Sequence, residues 1–277
     1  MSTYDTSLDA LVIRELPSGE HDKQLTLLCA DRGRIPVIAK GARSLKSRYF
    51  AASRAFVWGN FELHNKGDLA WLREATVNEP FAAMQNDIQK LYLAQYVADV
   101  AYELSGEGEP AGEILRLTLN TFHALCGGKY TEDKIKAVFE FRAAAISGYL
   151  PDLDSCIRCG QKDAEIFYLD VMNGGLVCPD CAAKSPPKTV SDGSAALSDE
   201  IPADEYGTRT IMLRVTRPAL AALRYVVSAP PQRILAFELR DPADTAAFCA
   251  VCEKYLLNHL ERGFPSLKLY HSLRKLS

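Results

Sequence analysis

Two Cys-x-x-Cys pairs, Cys156-Ile-Arg-Cys159 and Cys178-Pro-Asp-Cys181, stand eighteen residues apart. Four thiolates suit the tetrahedral preference of zinc, and two residues between ligands let a tight knuckle present both sulfurs to one ion. Gly160, next to the first pair, supplies the backbone freedom such a knuckle uses. The spacer holds a strand-like Ile166–Val171, an Asn173-Gly174-Gly175 turn and Leu176-Val177. That is a hairpin carrying the second knuckle back to the first, as in a zinc ribbon. Neither two disulfides nor a redox dithiol requires two pairs at this separation. Four protein ligands leave no open position, so the expected ion is structural, one zinc held by Cys156, Cys159, Cys178 and Cys181.

The chain has eight cysteines. Met1 to Ala10 is polar and carries Asp5 and Asp9, with neither a basic stretch nor the apolar core of a secretory leader. No uncharged apolar run approaches the ~18 residues of a membrane span. A cytoplasmic, reducing setting is therefore expected, where clustered cysteines are metal ligands or reactive thiols more often than disulfides. Cys249-Ala-Val-Cys252 repeats the motif inside a helical stretch. There Phe248, Val251, Cys252, Tyr255 and Leu256 form an apolar stripe, so both cysteines read as core. Cys29 and Cys126 read the same way.

The formal net charge of −3 excludes a whole-protein basic field but not a local one. From Arg32 to Phe61 there are seven basic residues and no acid: Arg32, Arg34, Lys40, Arg43, Lys46, Arg48 and Arg54. Such a run marks a surface for a polyanion. Tyr49, Phe50, Phe56 and Trp58 are interleaved with it, and single-strand binders combine a positive groove with stacking aromatics. Phe56 and Trp58 also suit packing on a strand, and that reading is preferred for them.

Residues 1–80 read as five short strands: Leu8–Leu16, Lys23–Ala30, Ile35–Ala39, Phe56–His64 and Leu69–Val77. Five strands suit an OB-fold barrel, with an SH3-like barrel as the near alternative. The basic run fills the irregular connection between the third strand and the fourth. After Pro80 the apolar period lengthens to the helical value. Helices are expected over Asp87–Ser105 with Asp87 as cap, over Ala111–Cys126, and from Thr131 to Ser147. Ser185-Pro186-Pro187 reads as a linker, and Val190–Glu200 as loop and short helix. Thr216–Ser228 and Ala243–Leu260 read as helices, and Arg262–Ser277 as a basic tail. The expected class is multidomain α+β. It comprises a barrel over 1–80, a mainly helical body over 81–150 and 190–277, and the four-cysteine insertion over 151–189.

No phosphate-cradling G-x-x-x-x-G-K-[ST] loop, nucleophile elbow, H-E-x-x-H or G-x-G-x-x-G occurs. The five histidines are scattered along the chain, and none lies at a catalytic spacing from a carboxylate or cysteine. The chain reads as a binding protein without an enzymatic centre or nucleotide cofactor.

Four segments resemble the RecO family of bacterial DNA repair proteins. They are Gly19-Glu20-His21-Asp22-Lys23, Lys40-Gly41-Ala42-Arg43-Ser44-Leu45-Lys46-Ser47-Arg48, Gly148-Tyr149-Leu150-Pro151-Asp152-Leu153-Asp154-Ser155-Cys156 and Gly174-Gly175-Leu176-Val177-Cys178. Residues 190–277 match in length and helical character only. The resemblance implies an N-terminal OB-fold, a helical domain and a zinc ribbon inserted in it. It implies binding of single- and double-stranded DNA, annealing of complementary strands, and work with RecR and the tail of single-strand binding protein (SSB) to help load RecA, without nucleotide hydrolysis. Arg43, Lys46 and Arg48 are the first candidates for phosphate contact. Three other readings remain at this point: an OB-type RNA-binding protein, a zinc-stabilised adaptor whose basic run meets an acidic protein, and a nuclease or other enzyme.

Overall fold

The computed structural model describes residues 3–67, 69–184, 190–191 and 211–275. In chain order the strands are β1 (Thr3–Ser18), β2 (Asp22–Cys29), β3 (Gly33–Ala39), β4 (Trp58–Lys66), β5 (Leu69–Glu79), β6 (Asp152–Cys156), β7 (Ile166–Asp170), β8 (Gly175–Val177), β9 (Val190–Ser191) and β10 (Met212–Thr216). The helices are α1 (Ala82–Gln85), α2 (Ile88–Glu103), α3 (Gly112–Gly127), α4 (Glu132–Ile146), α5 (Pro179–Lys184), α6 (Arg217–Ser228), α7 (Pro242–Leu260) and α8 (Pro265–Arg274). The architecture is mixed α and β. It divides into two compact units, residues 1–132 with 264–277, and residues 133–263.

In the first unit the five strands close into a barrel of order β1-β2-β3-β5-β4. β1 is long because it serves two neighbours: Thr3–Leu11 pair with β4, and Ala10–Ser18 pair with β2. Its register shifts between Val12 and Arg14. Such a bulge increases local twist and helps one strand turn from one partner to the next. β3 and β5 run parallel through Val37–Ala70 and Ile38–Trp71, completing the closure expected of an OB-fold. Alternate side chains fill the interior, among them Val12, Leu25, Leu27, Val37, Phe61 and Leu63. Burying a side chain of this kind stabilises by about 1.5–3 kcal/mol.

Phe56 and Trp58 part company. Phe56 lies just before β4 in the left-handed region at φ 70°, buried, with its N–H donating to Val12 O at 2.7 Å. Its ring meets Phe122 edge-on at 5.4 Å, so it belongs to the core. Trp58 opens β4 and is half-buried.

Asp87 caps α2 as its sequence position suggests, its Oδ1 accepting from the N–H groups of Gln89 and Lys90. The expected basic tail instead contains a helix. α8 packs on α2, with Phe264 against Tyr96 and the Ser266 hydroxyl donating to Asp99 Oδ2 at 2.7 Å. Leu267 and Tyr270 recur three residues apart and are buried, so an apolar stripe drives this docking rather than charge.

In the second unit β7 and β8 form the expected hairpin, within a five-stranded sheet of order β6-β8-β7-β10-β9. β10, immediately ahead of α6, pairs antiparallel with the whole of β7. Val190–Ser191 form the short strand β9 and not loop or helix. The remainder of the segment expected as loop and helix, residues 192–200, and the 185–187 linker lie outside the described residues.

Asp241 caps α7 by accepting from Ala243 N–H at 2.8 Å. The α7 residues Phe248, Val251, Cys252, Tyr255 and Leu256 are buried, while Cys249 is half-buried. On α4, Lys136 is enclosed with its ammonium 2.9 Å from Glu140 and 2.6 Å from Glu253. Burial opposes the charge on Lys136, but the two carboxylates outweigh it and raise its pKa.

Candidate nucleic-acid interface and metal centre

The basic connection between β3 and β4 is a pinned structure, built from two of the segments that stood out in the sequence. Gly41 N–H donates to Asp22 Oδ1 at 2.7 Å. Arg43 N–H donates to His21 O at 3.0 Å, and the Arg43 guanidinium donates to Gly19 O at 2.6 Å. The turn at residues 19–22 thus holds the start of the connection. Further on, the Arg48 guanidinium donates to Arg73 O at 2.8 Å, and the Tyr49 hydroxyl donates to the same oxygen at 2.7 Å. Arg48 also lies 4.7 Å from the Tyr49 ring centroid. At the far end, Val12 N–H donates to Val57 O at 2.9 Å.

Of the seven basic residues, Arg32, Lys40, Arg43, Lys46, Arg48 and Arg54 are exposed. Arg34 is half-buried with its guanidinium 3.9 Å from the centroid of Tyr102 on α2. Only glycine fits the position before it, the first of β3: Gly33 has φ 60°, and a Cβ there would stand 2.2 Å from Gly106 O. The sequence reading did not single out Arg73. Its carbonyl anchors Arg48 and Tyr49, and its guanidinium pairs with Asp5. Asp5 also meets His64 across β1 and β4 at 2.8 Å. The hydrogen bond from His64 leads, with help from Arg73, in lowering the Asp5 pKa. Only the pairing of β1 with β4 brings these groups together, so no spacing in the sequence announces them.

In the second unit Cys156 ends β6, Cys159 lies in the following turn, Cys178 precedes α5 and Cys181 lies within it. Their four sulfurs all lie within 4.8 Å of one another. Two backbone bonds shape the first knuckle: Gly160 N–H donates to Cys156 O, and Cys156 N–H donates to Gln161 O, both at 2.8 Å. Gly160 takes φ 77°, as the knuckle requires. Ile157 N–H donates to Leu176 O at 2.8 Å and ties this knuckle to the strand leading into the second. Arg158 closes the group by donating to Cys181 O at 2.9 Å.

The thiols are driven apart in acidity. Burial works to raise Cys156, but the backbone N–H groups of Cys178, Arg158 and Cys159 outweigh it and bring the pKa down to about 6. Cys181 is pushed up to about 12, first by its hydrogen bond with Cys159 and then by desolvation. Four sulfurs this close cannot all ionise without a cation among them. The sulfurs of Cys159 and Cys178 are 3.6 Å apart, far beyond a disulfide bond. A tetrahedral ion with metal–sulfur bonds of about 2.3 Å holds its sulfurs about 3.8 Å apart. The four cysteines therefore fit a metal ion in both donor type and spacing.

A closed five-stranded barrel of OB type, a helical body and a four-cysteine metal-binding cluster together define an OB-fold protein with a metal-stabilised module. Two family models match the chain: Recombination protein O N terminal over residues 1–81, and Recombination protein O C terminal over residues 85–199. The DNA repair protein RecO of Anaeromyxobacter sp. (strain K) is 31% identical over 227 residues, covering 81% of this chain and 84% of that protein. The protein of the same name from Acetivibrio thermocellus is 26% identical over 266 residues, 96% of each chain. The chain belongs to the RecO family of DNA repair proteins. Among the described residues no helix is long and apolar enough to cross a membrane.

Proposed function

We propose that the protein is a recombination mediator that binds single- and double-stranded DNA through the barrel, residues 1–80, and anneals complementary strands. The observation that carries this reading is the connection between β3 and β4. It presents exposed Lys40, Arg43, Lys46, Arg48 and, near its end, Arg54 from a pinned backbone, with no acid from Arg32 to Phe61. Arg32, exposed in the turn before β3, adds to the same barrel, and Arg34 lies half-buried against the ring of Tyr102. Cations on a fixed loop neutralise phosphates and release counterions. Contact through the backbone leaves bases free, which is what pairing two strands requires.

The proposed partners, following the family, are RecR, the C-terminal tail of SSB and, indirectly, RecA. The setting is the bacterial cytoplasm at the nucleoid. No nucleotide is hydrolysed and no bond is made or broken in this reading. Cys156, Cys159, Cys178 and Cys181 hold one zinc ion, which stabilises residues 151–189. All four positions of that ion are filled by protein, so it serves the fold.

The decisive experiment mixes the pure protein with complementary strands coated by SSB, without ATP. Rapid annealing is the expected result. Failure to anneal, or metal-dependent cleavage of the strands, overturns the mediator assignment. Preference for an RNA strand over a DNA strand of equal length, at matched salt, returns the decision to the RNA-binding alternative.

A further inference from the structure

Leu45 is 80% exposed, against 37–59% for the other exposed large hydrophobic side chains among the described residues. A single exposed leucine needs no explanation of its own. Its setting does. Ser47 N–H donates to Ser44 O at 2.9 Å, which makes Ser44–Ser47 a β-turn with Leu45 at its second position. Neighbouring turns follow on each side, Ser44 N–H to Gly41 O at 3.3 Å and Phe50 N–H to Ser47 O at 3.0 Å. The bonds to Asp22, His21 and Gly19 hold the segment before the turn, and Arg48 to Arg73 O holds the segment after it. Leu45 is therefore carried on an ordered corner, flanked by exposed Arg43, Lys46 and Arg48.

A ligand for this corner must bring negative charge at intervals and an apolar surface between the charges. Unpaired nucleic acid does so: its phosphates meet the flanking cations while a base offers a flat face. Stacking of a base on an aromatic ring is worth about 1–3 kcal/mol and tolerates any sequence, and an aliphatic side chain can supply the apolar part of such a contact. Apolar side chains also enter between base steps as wedges. Because the turn is already ordered, little conformational freedom is lost when a base settles on it.

We propose that Leu45 is a DNA-contacting residue whose side chain packs against an unpaired base, while Arg43, Lys46 and Arg48 engage the adjoining phosphates. The proposal rests on the DNA-binding reading above and adds a base contact that does not depend on sequence. It also separates the two parts of the affinity: the cations carry the salt-dependent part, and Leu45 carries a part that salt does not change.

The test measures binding of the full chain to a fluorescent deoxythymidine oligonucleotide and to an abasic strand of the same length, across a salt series. Leu45→Ala is expected to weaken binding to the thymidine strand about tenfold, the ratio equivalent to ~1.4 kcal/mol. The slope of log affinity against log salt stays unchanged, and so does the melting temperature. Leu45→Met, which keeps the apolar volume, restores the affinity. On the abasic strand the wild type and Leu45→Ala bind alike. Equal binding of the thymidine strand by the wild type and Leu45→Ala overturns the proposal and leaves the DNA-binding reading standing. So does an equal loss on both strands, because the base is then irrelevant. So, too, does a Leu45→Ala loss confined to an acidic, apolar peptide, which makes a protein the occupant. A wild type with no salt-dependent affinity for either strand overturns the DNA-binding reading itself.

Discussion

The guanidinium of Arg34 stacks on the ring of Tyr102, its central carbon 3.9 Å from the centroid. Arg14 lies 3.8 Å from the same centroid and also pairs with Asp99 at 3.5 Å. Asp99 in turn accepts from Ser266 on α8. Arg34 thus belongs to an internal arrangement that joins β1, β3, α2 and α8 within the first unit. Arg34→Ala should lower unfolding stability by about 1 kcal/mol, a typical value for a partly desolvated cation–π contact. It should leave the salt dependence of DNA binding unchanged. Denaturant titration and a salt series on the one variant check both halves.

Lys46 differs: it is exposed, and only its backbone N–H, to Ser44 Oγ, enters a described bond. Lys46→Ala should reduce the salt slope of duplex binding by ~0.9 log units for the one phosphate contact removed. The melting temperature should not move. Changing Arg43, Lys46 and Arg48 together to Glu should abolish most of the affinity. Arg43 and Arg48 also brace the loop, so the single lysine variant is the cleaner measurement. Unchanged affinity in the triple variant would return the basic run to an adaptor role.

Elemental analysis should find one zinc per chain. A quadruple Cys→Ser variant at Cys156, Cys159, Cys178 and Cys181 should melt at lower temperature, and a strong chelator should reproduce that loss in the wild type. The expected signature is coupling, because a structural site binds metal only when its ligands are assembled. Acid should release the ion, since every ligand must give up a proton to bind. A variant as stable as the wild type would falsify the structural role.

Lys136 stands between Glu140, which is fully buried, and Glu253. Lys136→Met removes the ammonium and leaves the Glu140 carboxylate buried without that cation. The expected loss is about 3–5 kcal/mol near neutral pH. The variant should also acquire a new pH dependence. Burial opposes the charge of a carboxylate that has lost a neighbouring cation, so the loss should be smaller in acid, where a proton neutralises it, and should grow as pH rises. Urea unfolding of both proteins between pH 5 and 8 reads this directly.

The parts of the fold visible in the sequence are those with short-range causes. Strand alternation, the cap Asp87 and the paired knuckles all act within a few residues, and the structure has strands, a capped helix and gathered sulfurs there. The core stripe of α7 was legible for the same reason. β10 was not, because five residues carry little periodicity and its partner β7 lies some forty residues earlier. α8 was obscured by its charge, although Pro265 at its start and the spacing of Leu267 and Tyr270 marked it. The ion triad of Lys136, Glu140 and Glu253 joins two distant helices, and only the Lys136–Glu140 half has a helical spacing to find. Among the basic residues, composition could not separate Arg34 from the exposed six, because Tyr102 reaches it through the tertiary fold.

His259 supplies the last prediction. It stacks on Tyr149 at 4.4 Å and meets Tyr255 edge-on at the same distance, with its Nε2 buried and without a hydrogen-bond partner. Burial lowers its pKa below the ordinary 6.5, because the charged ring would lose hydration that nothing here replaces. The sign follows from proton counts. Below about 6.5 the unfolded chain takes up the proton more readily than the folded one, so this contribution to stability falls with pH. It is complete above pH ~6.5 and is lost on descending towards the lower folded value. Asp5, whose pKa lies below its ordinary 3.8, releases its own contribution only in stronger acid, outside this window. Melting temperatures between pH 5 and 8 should therefore decline on the acid side in the wild type. His259→Phe keeps an aromatic ring between Tyr149 and Tyr255 and should flatten the decline. An identical pH profile in the variant would place the acid sensitivity elsewhere.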